Sequence, residues 1–180
     1  MYDDEFELTF DLSDEDKASR APEPEQEPVQ EAAPEPAAET EPPVEPVPGP
    51  ADPAANGRCV LISGGDRGIG AAAARAFWQA GYRVAALYHT HAEAAAALEK
   101  ALPGLLAVQC DVASRASCEV AFHTVEQAVG HVDVLVSNAG IAQQKLFTDI
   151  TPEEWQHMLD VNLSGAFHLC QLALPGMIRR

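Results

Sequence analysis

The stretch "CVLISGGDRGIG", residues 59–70, constrains the fold more than any other part of the chain. Its first five residues form an apolar run with the length and composition of a buried parallel strand. Glycines crowd the next seven positions, and a helical pattern then runs from about Ile69 to Ala80, with Ala71, Ala74 and Trp78 on one face. This order predicts the first strand–turn–helix unit of a parallel sheet that is covered by helices.

The alternation of strand and helix patterns continues through residues 58–180. We predict three more strands and two more helices, at 83–89, 105–111 and 132–138 and at about 91–101 and 114–129. Strands that alternate with helices are typical of α/β proteins. The sequence therefore predicts a Rossmann-type doubly wound parallel sheet with about four strands.

A fourth helix is predicted to start at "TPEEW". Thr151 is a favourable N-cap, Pro152 suits the first helical position, and Glu154 completes a Thr-x-x-Glu capping box. At 100° per residue, Asn162 falls on an apolar stripe of this helix, together with Trp155, Leu159, Ala166, Leu169 and Ala173. We expect this asparagine to have polar partners, because an unsatisfied buried amide costs about 1 to 3 kcal/mol.

Residues 1–57 differ sharply in composition from the rest. They contain 17 of the 28 acidic residues and 11 of the 14 prolines. Such a segment cannot bury enough apolar surface to offset the entropy of ordering its backbone. We predict a disordered, acidic, Glu/Pro-rich leader. Its first residues, "MYDDEFELTFDL", alternate apolar and polar side chains as a strand does. They could add to the edge of a partner's sheet, or they could serve only to keep the protein soluble.

Several classes of protein are disfavoured by the sequence. The first residues lack the basic and apolar regions of a secretory signal, and no apolar stretch has the length of a membrane span. The four cysteines show no C-x-x-C spacing, and the six histidines form no metal-ligand pattern with them. We expect four reduced thiols in a cytoplasmic protein, with no metal, no membrane and no nucleic acid among its partners.

Glycines in front of a helix suit a bound phosphate, because the helix N-terminus presents unpaired N–H groups and partial positive charge. Ser63, Gly64, Gly68 and Gly70 resemble the T-G-x-x-x-G-x-G turn of the short-chain dehydrogenase/reductase family, with serine in place of threonine. "CDV" (110–112), "SNAG" (137–140) and "DVNLSGAF" (160–167) resemble three further motifs of that family, in the same order. The resemblance spans residues 58–180.

The resemblance implies a role for each matching residue. The turn would wrap the pyrophosphate and adjoining ribose of a dinucleotide, Asp111 would accept from the adenine amino group with Val112 beside it, and the segment after the fourth strand would shape the floor under the riboses. Asn162 would hold a water in a proton relay. The cofactor-binding residues are then Ser63, Gly64, Arg67, Gly68, Ile69, Gly70, Asp111, Val112, Asn138, Ala139 and Gly140.

Each of these assignments has a purely structural alternative. Asp111 could instead cap the following helix. "SNAG" could be no more than a turn that ends a strand, and Asn162 could be a core asparagine whose hydrogen bonds are satisfied.

The identity of the nucleotide can be argued from charge. Enzymes that use NAD commonly carry an acid at the end of the second strand, about 20 residues past the glycines, which binds the ribose 2′-hydroxyl. Here that place reads "YHTH", 88–91, and the first acid after it is Glu93. Arg67 lies within the glycine turn, where a guanidinium can pair with a 2′-phosphate. We therefore predict NADPH as the cofactor.

The resemblance also suggests a substrate. The general pattern is similar to 3-oxoacyl-acyl-carrier-protein reductases, and residues 138–167 with "LPGMIRR" are similar in detail to reductases of the 5-aminopentanone modification of elongation factor P. The resemblance thus implies a carbonyl substrate that is reduced to an alcohol and carried by acyl carrier protein or modified elongation factor P. The loop 141–150, with Gln143, Gln144 and Lys145, would meet this substrate. The family also implies a homo-oligomer.

The catalytic serine and the Tyr-x-x-x-Lys pair of the family have no counterpart in the 180 residues. Tyr2, Tyr82 and Tyr88 are the only tyrosines, and none is followed four residues later by lysine. Without such a general acid we expect no reductase turnover from this chain alone. We expect an N-terminal portion of a reductase with an exposed, aggregation-prone sheet edge. The alternative is an inert cofactor-binding or interaction module that docks through the leader.

Overall fold

A computed structural model describes residues 57–180. The predictions for the acidic leader concern residues that lie outside this range, apart from Gly57. The described part contains four strands, all of them parallel: β1 (Cys59–Ser63), β2 (Arg83–Tyr88), β3 (Leu106–Gln109) and β4 (Val134–Ser137). They form one sheet in the order β3-β2-β1-β4, which confirms the predicted parallel sheet of four strands.

Helices connect and follow the strands. They are α1 (Gly68–Gln79), α2 (Ala92–Ala101), α3 (Arg115–Val129), α4 (Pro152–Leu159) and α5 (Gly165–Ile178). A short 3₁₀ turn, Phe147–Asp149, precedes α4, and a π-helical turn, Asp160–Ser164, joins α4 to α5. The first three helices begin and end within about one residue of their predicted bounds, whereas β3 and β4 are shorter than predicted.

The sheet is covered by helices on both faces, so the fold is doubly wound. Along β1, Val60 and Ile62 point to a cluster with α1 and α2, and Leu61 points to a cluster with α3 and α5. All five residues of β1 are buried, as expected for a central strand that is covered on both sides. The sheet thus lies between two apolar layers, and β1 contributes buried side chains to both.

Strand order determines where a ligand can bind. From β1 the chain moves outward through β2 to β3, and it then returns to place β4 on the opposite side of β1. In open parallel sheets such a reversal leaves a crevice at the carboxyl ends of the strands, where ligands bind. Ser63 and Ser137, which are register partners, end β1 and β4 at this crevice.

β4 forms one edge of the described sheet. Within residues 57–180 it pairs only with β1, and α5 packs against it. No helix in this part of the chain has the length and apolarity needed to cross a membrane.

Candidate functional site

Ser63 ties the end of β1 to the end of β4. Its side chain is fully buried, and its Oγ accepts hydrogen bonds from the backbone N–H groups of Asn138 and Ala139, both at 3.0 Å. In return, the Asn138 amide donates to the carbonyl oxygens of Ser63, at 3.1 Å, and Gly64, at 3.0 Å. These four bonds fix the two sides of the crevice relative to each other.

The glycines of the turn are required by close approach as well as by backbone conformation. Gly64 and Gly68 have φ values of +61° and +53°, which favour glycine. A Cβ at Gly70 would collide with the carbonyl oxygen of Gly64 and lie 2.7 Å from Nδ2 of Asn138. Gly65, which the motif leaves unspecified, is also restricted, because a Cβ there would lie 2.8 Å from the Cβ of Ala86 on β2.

The N-terminus of α1 has the features of an anion site. Its N-cap, Arg67, makes no side-chain capping bond, and the first turn contains no acidic residue. The first N–H groups of a helix carry about half a positive charge in total and have no partners within the helix. Gly68 and Ile69 are exposed at this end, so the turn leaves its backbone accessible to a ligand.

Three side chains meet where β1 and β2 end. Nη1 of Arg67 lies 3.2 Å from Nε2 of His91, and Nδ1 of His91 lies 3.5 Å from Oδ2 of Asp66. The Arg67 and His91 side chains are exposed or half-exposed, whereas the Asp66 side chain is only 6% exposed. The sequence identified Arg67, but it did not single out Asp66 or His91 for this cluster.

Asp111 lies just past the end of β3, beyond β2 as seen from the glycine turn. Its Oδ1 accepts from the N–H of Ala113 at 3.0 Å, and its own N–H donates to Oγ of Ser117. The N-cap of α3 is Ser114, whose Oγ accepts from the N–H of Ser117. The alternative in which Asp111 caps α3 is therefore wrong, and its adenine-binding role stays a prediction.

Val112 is buried against the first residue of α5. A Cβ at Gly165 would lie 2.9 Å from Cγ2 of Val112, so only glycine allows this approach. Nδ1 of His168, one turn further along α5, lies 3.1 Å from the Val112 carbonyl oxygen. The segment after β3 is thus held in place by α5.

Asn162 lies in the π-helical turn and holds a backbone segment. Its Oδ1 accepts from the N–H of Ile141 at 2.8 Å, and its Nδ2 donates to the Ile141 carbonyl oxygen at 2.9 Å. The same Oδ1 would lie 3.0 Å from a Cβ at Gly140, which leaves no room for a larger residue without a shift. Asn162 therefore contacts the end of the segment "SNAG" and binds the residue that follows it. Its role in a proton relay stays a prediction.

The apolar stripe predicted for this helix is wrong at its N-terminal end. Asn162 is exposed, and Trp155 is 53% exposed. The π-helical turn contains one residue more than an α-helical turn, so a projection at 100° per residue loses register across it. The buried positions recur instead every four residues, at Val161, Gly165, Leu169 and Ala173.

The loop 141–150 is fastened to the start of α4. Nζ of Lys145 lies 2.8 Å from both carboxylate oxygens of Glu154, and Glu154 also closes the predicted capping box with Thr151. Lys145 and the Thr151 N–H hold the pKa of Glu154 below its usual range. Leu146 and Phe147 of this loop are exposed, Phe147 to 83%. The ion pair of Lys145 thus ties the loop to α4, while the apolar side chains of the loop face solvent.

All four cysteines are free thiols, as predicted. Burial raises the pKa of Cys59 to about 11. The thiols of Cys110 and Cys118 lie 4.0 Å apart in the core, and the hydrogen bond between them together with burial raises the pKa of Cys118. Within the described range no three His, Cys, Asp or Glu side chains are grouped as a metal site would require.

Proteins of known family resemble this chain over the same residues. Acetoacetyl-CoA reductase of Shinella zoogloeoides is 40% identical over 120 residues, which cover 67% of this chain and 49% of the relative. The 3-oxoacyl-acyl-carrier-protein reductase MabA of Mycobacterium tuberculosis (strain ATCC 25618 / H37Rv) is 38% identical over 129 residues, 72% of this chain and 49% of the relative. The chain spans about half the length of the curated relatives that it matches.

Solved structures also resemble this chain. A blue fluorescent protein from a metagenomic library, in complex with NADPH, has a TM-score of 0.65 and 31% identity over 69% of this chain and 53% of its own. A short-chain dehydrogenase/reductase from Brucella melitensis has a TM-score of 0.62 and 29% identity over 66% of this chain and 52% of its own. The model of the short chain dehydrogenase family matches residues 58–180. The chain therefore belongs to the short-chain dehydrogenase/reductase family of NAD(P)-dependent oxidoreductases.

Proposed function

We propose that this chain forms the NADPH-binding part of a cytoplasmic reductase that converts a ketone to an alcohol. The observation that carries the proposal is the charge where β1 and β2 end. The exposed guanidinium of Arg67 lies beside the imidazole of His91, and no acid stands between Tyr88 and Ala92 to bind a ribose 2′-hydroxyl. The cationic guanidinium of Arg67 at this place suits a 2′-phosphate.

The geometry of the turn fits the pyrophosphate of the same nucleotide. The uncapped N-terminus of α1 supplies N–H groups, and the absence of a side chain at Gly70 lets the turn close against Gly64. The NADPH complex of the structurally similar blue fluorescent protein supports this assignment. The residues that would hold the cofactor are Ser63, Gly64, Arg67, Gly68, Ile69, Gly70, Asp111, Val112, Asn138, Ala139 and Gly140.

Bound NADPH supplies a hydride, which adds to the carbonyl carbon while a proton reaches the carbonyl oxygen, so that ketone, NADPH and H⁺ give alcohol and NADP⁺. The described residues do the binding part of this work. Asn162 fixes the backbone of Ile141 next to "SNAG", and we propose that it also takes part in delivering the proton.

The substrate that we propose is a 3-oxoacyl thioester carried by coenzyme A or acyl carrier protein. The named activities of the acetoacetyl-CoA and 3-oxoacyl relatives support it. The exposed Leu146 and Phe147 of the loop 141–150 offer apolar surface suited to an acyl chain. The 5-aminopentanone group of modified elongation factor P is the second candidate, supported by the resemblance of residues 138–167.

We also propose that the complete protein is a homo-oligomer. Exposed apolar side chains recur along α4, the π-helical turn and α5, at Trp155, Leu163, Phe167, Leu174 and Ile178. Large apolar side chains that are exposed along one helical segment support a protein interface there.

Titration of the 180-residue chain with NADPH and with NADH, monitored by nicotinamide fluorescence, tests the cofactor assignment. A guanidinium–phosphate pair contributes roughly 1.5 to 3 kcal/mol, so we expect NADPH to bind about ten- to a hundredfold more tightly. Arg67→Ser should remove this preference, and Arg67→Lys, which keeps the charge but loses the forked geometry, should retain part of it. Tighter binding of NADH would refute the proposal.

The substrate is tested in the complete reductase. Oxidation of NADPH is measured with acetoacetyl-CoA and, separately, with elongation factor P that carries the 5-aminopentanone group. Turnover of the thioester at a kcat/KM well above that of the modified protein supports the first candidate, and the reverse order replaces it with the second.

A further inference from the structure

Two thiols lie side by side between the end of β3 and the start of α3. Sγ of Cys110, the residue after β3, is 4.0 Å from Sγ of Cys118 on α3, and both residues are buried. A disulfide bond is about 2.05 Å long, so the two sulfur atoms need to approach by about 2 Å in order to bond. The pair is therefore a candidate site for reversible oxidation.

Hydrogen bonds from α3 hold the backbone around this pair. The Cys118 thiol donates to the Val112 carbonyl oxygen at 3.5 Å, and the Ser117 hydroxyl, at 3.8 Å, donates to Sγ of Cys110. Oγ of Ser117 also accepts from the N–H of Asp111 at 3.0 Å. Residues 110–112 are thus fastened to α3 through the side chains of Ser117 and Cys118.

The two thiols differ in acidity. The hydrogen bond from Cys118, supported by the one from Ser117, lowers the pKa of Cys110, although burial opposes this effect. The same contact, together with burial, raises the pKa of Cys118. Because the thiolate is the form that attacks an oxidant, this environment favours Cys110 as the attacking thiol and Cys118 as the thiol that resolves the intermediate.

A small oxidant can reach Cys110 from the side of Ser117. Ser117 is half-buried, and its neighbour Ala116 is exposed, so a single side chain separates the Cys110 thiol from solvent. Hydrogen peroxide is uncharged and not much larger than water. A local opening of the first turn of α3 is sufficient to admit it.

The other two thiols lie in different surroundings. Cys59 is buried in the central strand, where burial raises its pKa to about 11 and disfavours the thiolate. Cys170 lies on α5 and is half-buried. These two cysteines serve as internal controls for the selectivity of oxidation.

We propose that Cys110 and Cys118 form a redox-sensitive site, at which a peroxide generates a disulfide that weakens nucleotide binding. The Cys110 thiolate attacks the O–O bond of hydrogen peroxide, which gives a sulfenic acid and, with one proton, water. The Cys118 thiol then attacks the same sulfur, so that the S–S bond forms and the sulfenic hydroxyl leaves as a second water. Two thiols and one hydrogen peroxide thus give one disulfide and two waters.

The disulfide changes the segment that contains Asp111 and Val112. It removes the proton that the Cys118 thiol donates to the Val112 carbonyl oxygen, and its closure draws Cys110 towards α3. The effect on the nucleotide rests on the proposed function, in which Asp111 and Val112 bind the cofactor. A shift that costs the nucleotide one hydrogen bond would weaken NADPH binding by about two- to tenfold.

Peptide mapping tests whether the disulfide forms. Trypsin separates the two cysteines, because Arg115 lies between them. The 180-residue chain is treated with hydrogen peroxide, its remaining thiols are blocked in denaturant, and it is digested without reductant for mass spectrometry. We expect a disulfide between peptides 101–115 and 116–145, which dithiothreitol removes, whereas Cys59 should be recovered as a blocked thiol.

Two serine variants identify the reacting thiols. In Cys118→Ser the hydroxyl can still donate to the Val112 carbonyl oxygen but cannot form a disulfide, so Cys110 should stop at the sulfenic acid, which dimedone traps. Cys170→Ser is the matched control, and it should form the same disulfide as the wild type. Peroxide should weaken NADPH binding to the wild type and to Cys170→Ser, dithiothreitol should restore it, and Cys118→Ser should lose less affinity.

The possible failures can be distinguished. If the peroxide-treated wild type contains no disulfide between Cys110 and Cys118, the inference is overturned, whether or not the chain binds NADPH. If the disulfide forms and the Kd for NADPH stays the same, the effect on nucleotide binding is overturned. If the reduced chain does not bind NADPH, the proposed function fails together with that effect, and the peptide map still decides whether the disulfide forms.

Discussion

The hydrogen-bonded pair between Asn162 and the backbone of Ile141 leads to a quantitative prediction. Both bonds are short, at 2.8 Å and 2.9 Å, but the site is exposed, so water replaces part of what is lost. At about 1 kcal/mol for each bond, Asn162→Ala should lower the free energy of local opening at Ile141 by about 2 kcal/mol. This corresponds to roughly thirtyfold faster exchange of the Ile141 amide hydrogen.

The isosteric variant Asn162→Asp separates the two bonds. The introduced carboxylate can still accept from the Ile141 N–H, but its other oxygen would face the Ile141 carbonyl oxygen at a distance where two acceptors repel. Once protonated, the carboxyl can donate there and restore the pair. Its pKa is therefore raised in the folded state, so the restored stability is complete below about pH 4 and is lost as the pH rises through the folded-state value.

Hydrogen exchange of the full 180-residue chain, corrected for the intrinsic pH dependence, measures both effects at the Ile141 amide. Ser164→Ala is the control, because it changes the same π-helical turn and leaves the Asn162 side chain in place. Wild-type protection of Ile141 in Asn162→Ala would refute the clamp. Equal protection of Asn162→Asp at acidic and neutral pH would refute the assignment of donor and acceptor.

Three further predictions concern the cradle, the loop and turnover. Gly70→Ala should reduce NADPH affinity by tenfold or more, because its Cβ collides with the Gly64 carbonyl oxygen. Gly68→Ala has room for its Cβ and should reduce NADPH affinity less, although strain at its positive φ should lower the free energy of unfolding by about 1 to 2 kcal/mol. Lys145 holds Glu154 ionised, so the stability that Glu154 gives to the loop 141–150 is present at neutral pH and is lost as the pH falls through the lowered pKa of Glu154. Amide exchange in this loop should therefore accelerate at acidic pH. Lys145→Met should weaken that pH dependence. The 180-residue chain should bind NADPH without oxidising it in the presence of acetoacetyl-CoA, and steady loss of NADPH absorbance would contradict this.

The features that the sequence predicted well are local ones. The glycine turn lies between a buried strand and an amphipathic helix, and adjacent residues alone determine that order. The capping box of α4 needs only Thr151 and Glu154, and both of its bonds are present. Such motifs are readable because the partners are a few residues apart and the helix geometry fixes their separation.

The features that the sequence did not predict depend on register between distant segments. Asp66 and His91 are 25 positions apart, and they meet because Ser63 pairs with Leu87 in the parallel register of β1 and β2. The π-helical turn could not be predicted from the sequence either, because one additional residue per turn does not alter the composition of the helix. It changes only which side chains face the core. The projection at 100° per residue therefore placed Asn162 wrongly, and the site role that the motif implies for it stays a prediction.

The segment 138–141 is held from both ends by side chains of other elements. Ser63, at the end of β1, binds the N–H groups of its first two residues, and Asn162, in the π-helical turn, binds both backbone groups of its last. The wall of the crevice is thus fixed mainly through its backbone. Because backbone bonds do not depend on the identity of the residues that make them, a substitution at Ile141 should disturb this wall less than removal of the Ser63 hydroxyl or of the Asn162 amide.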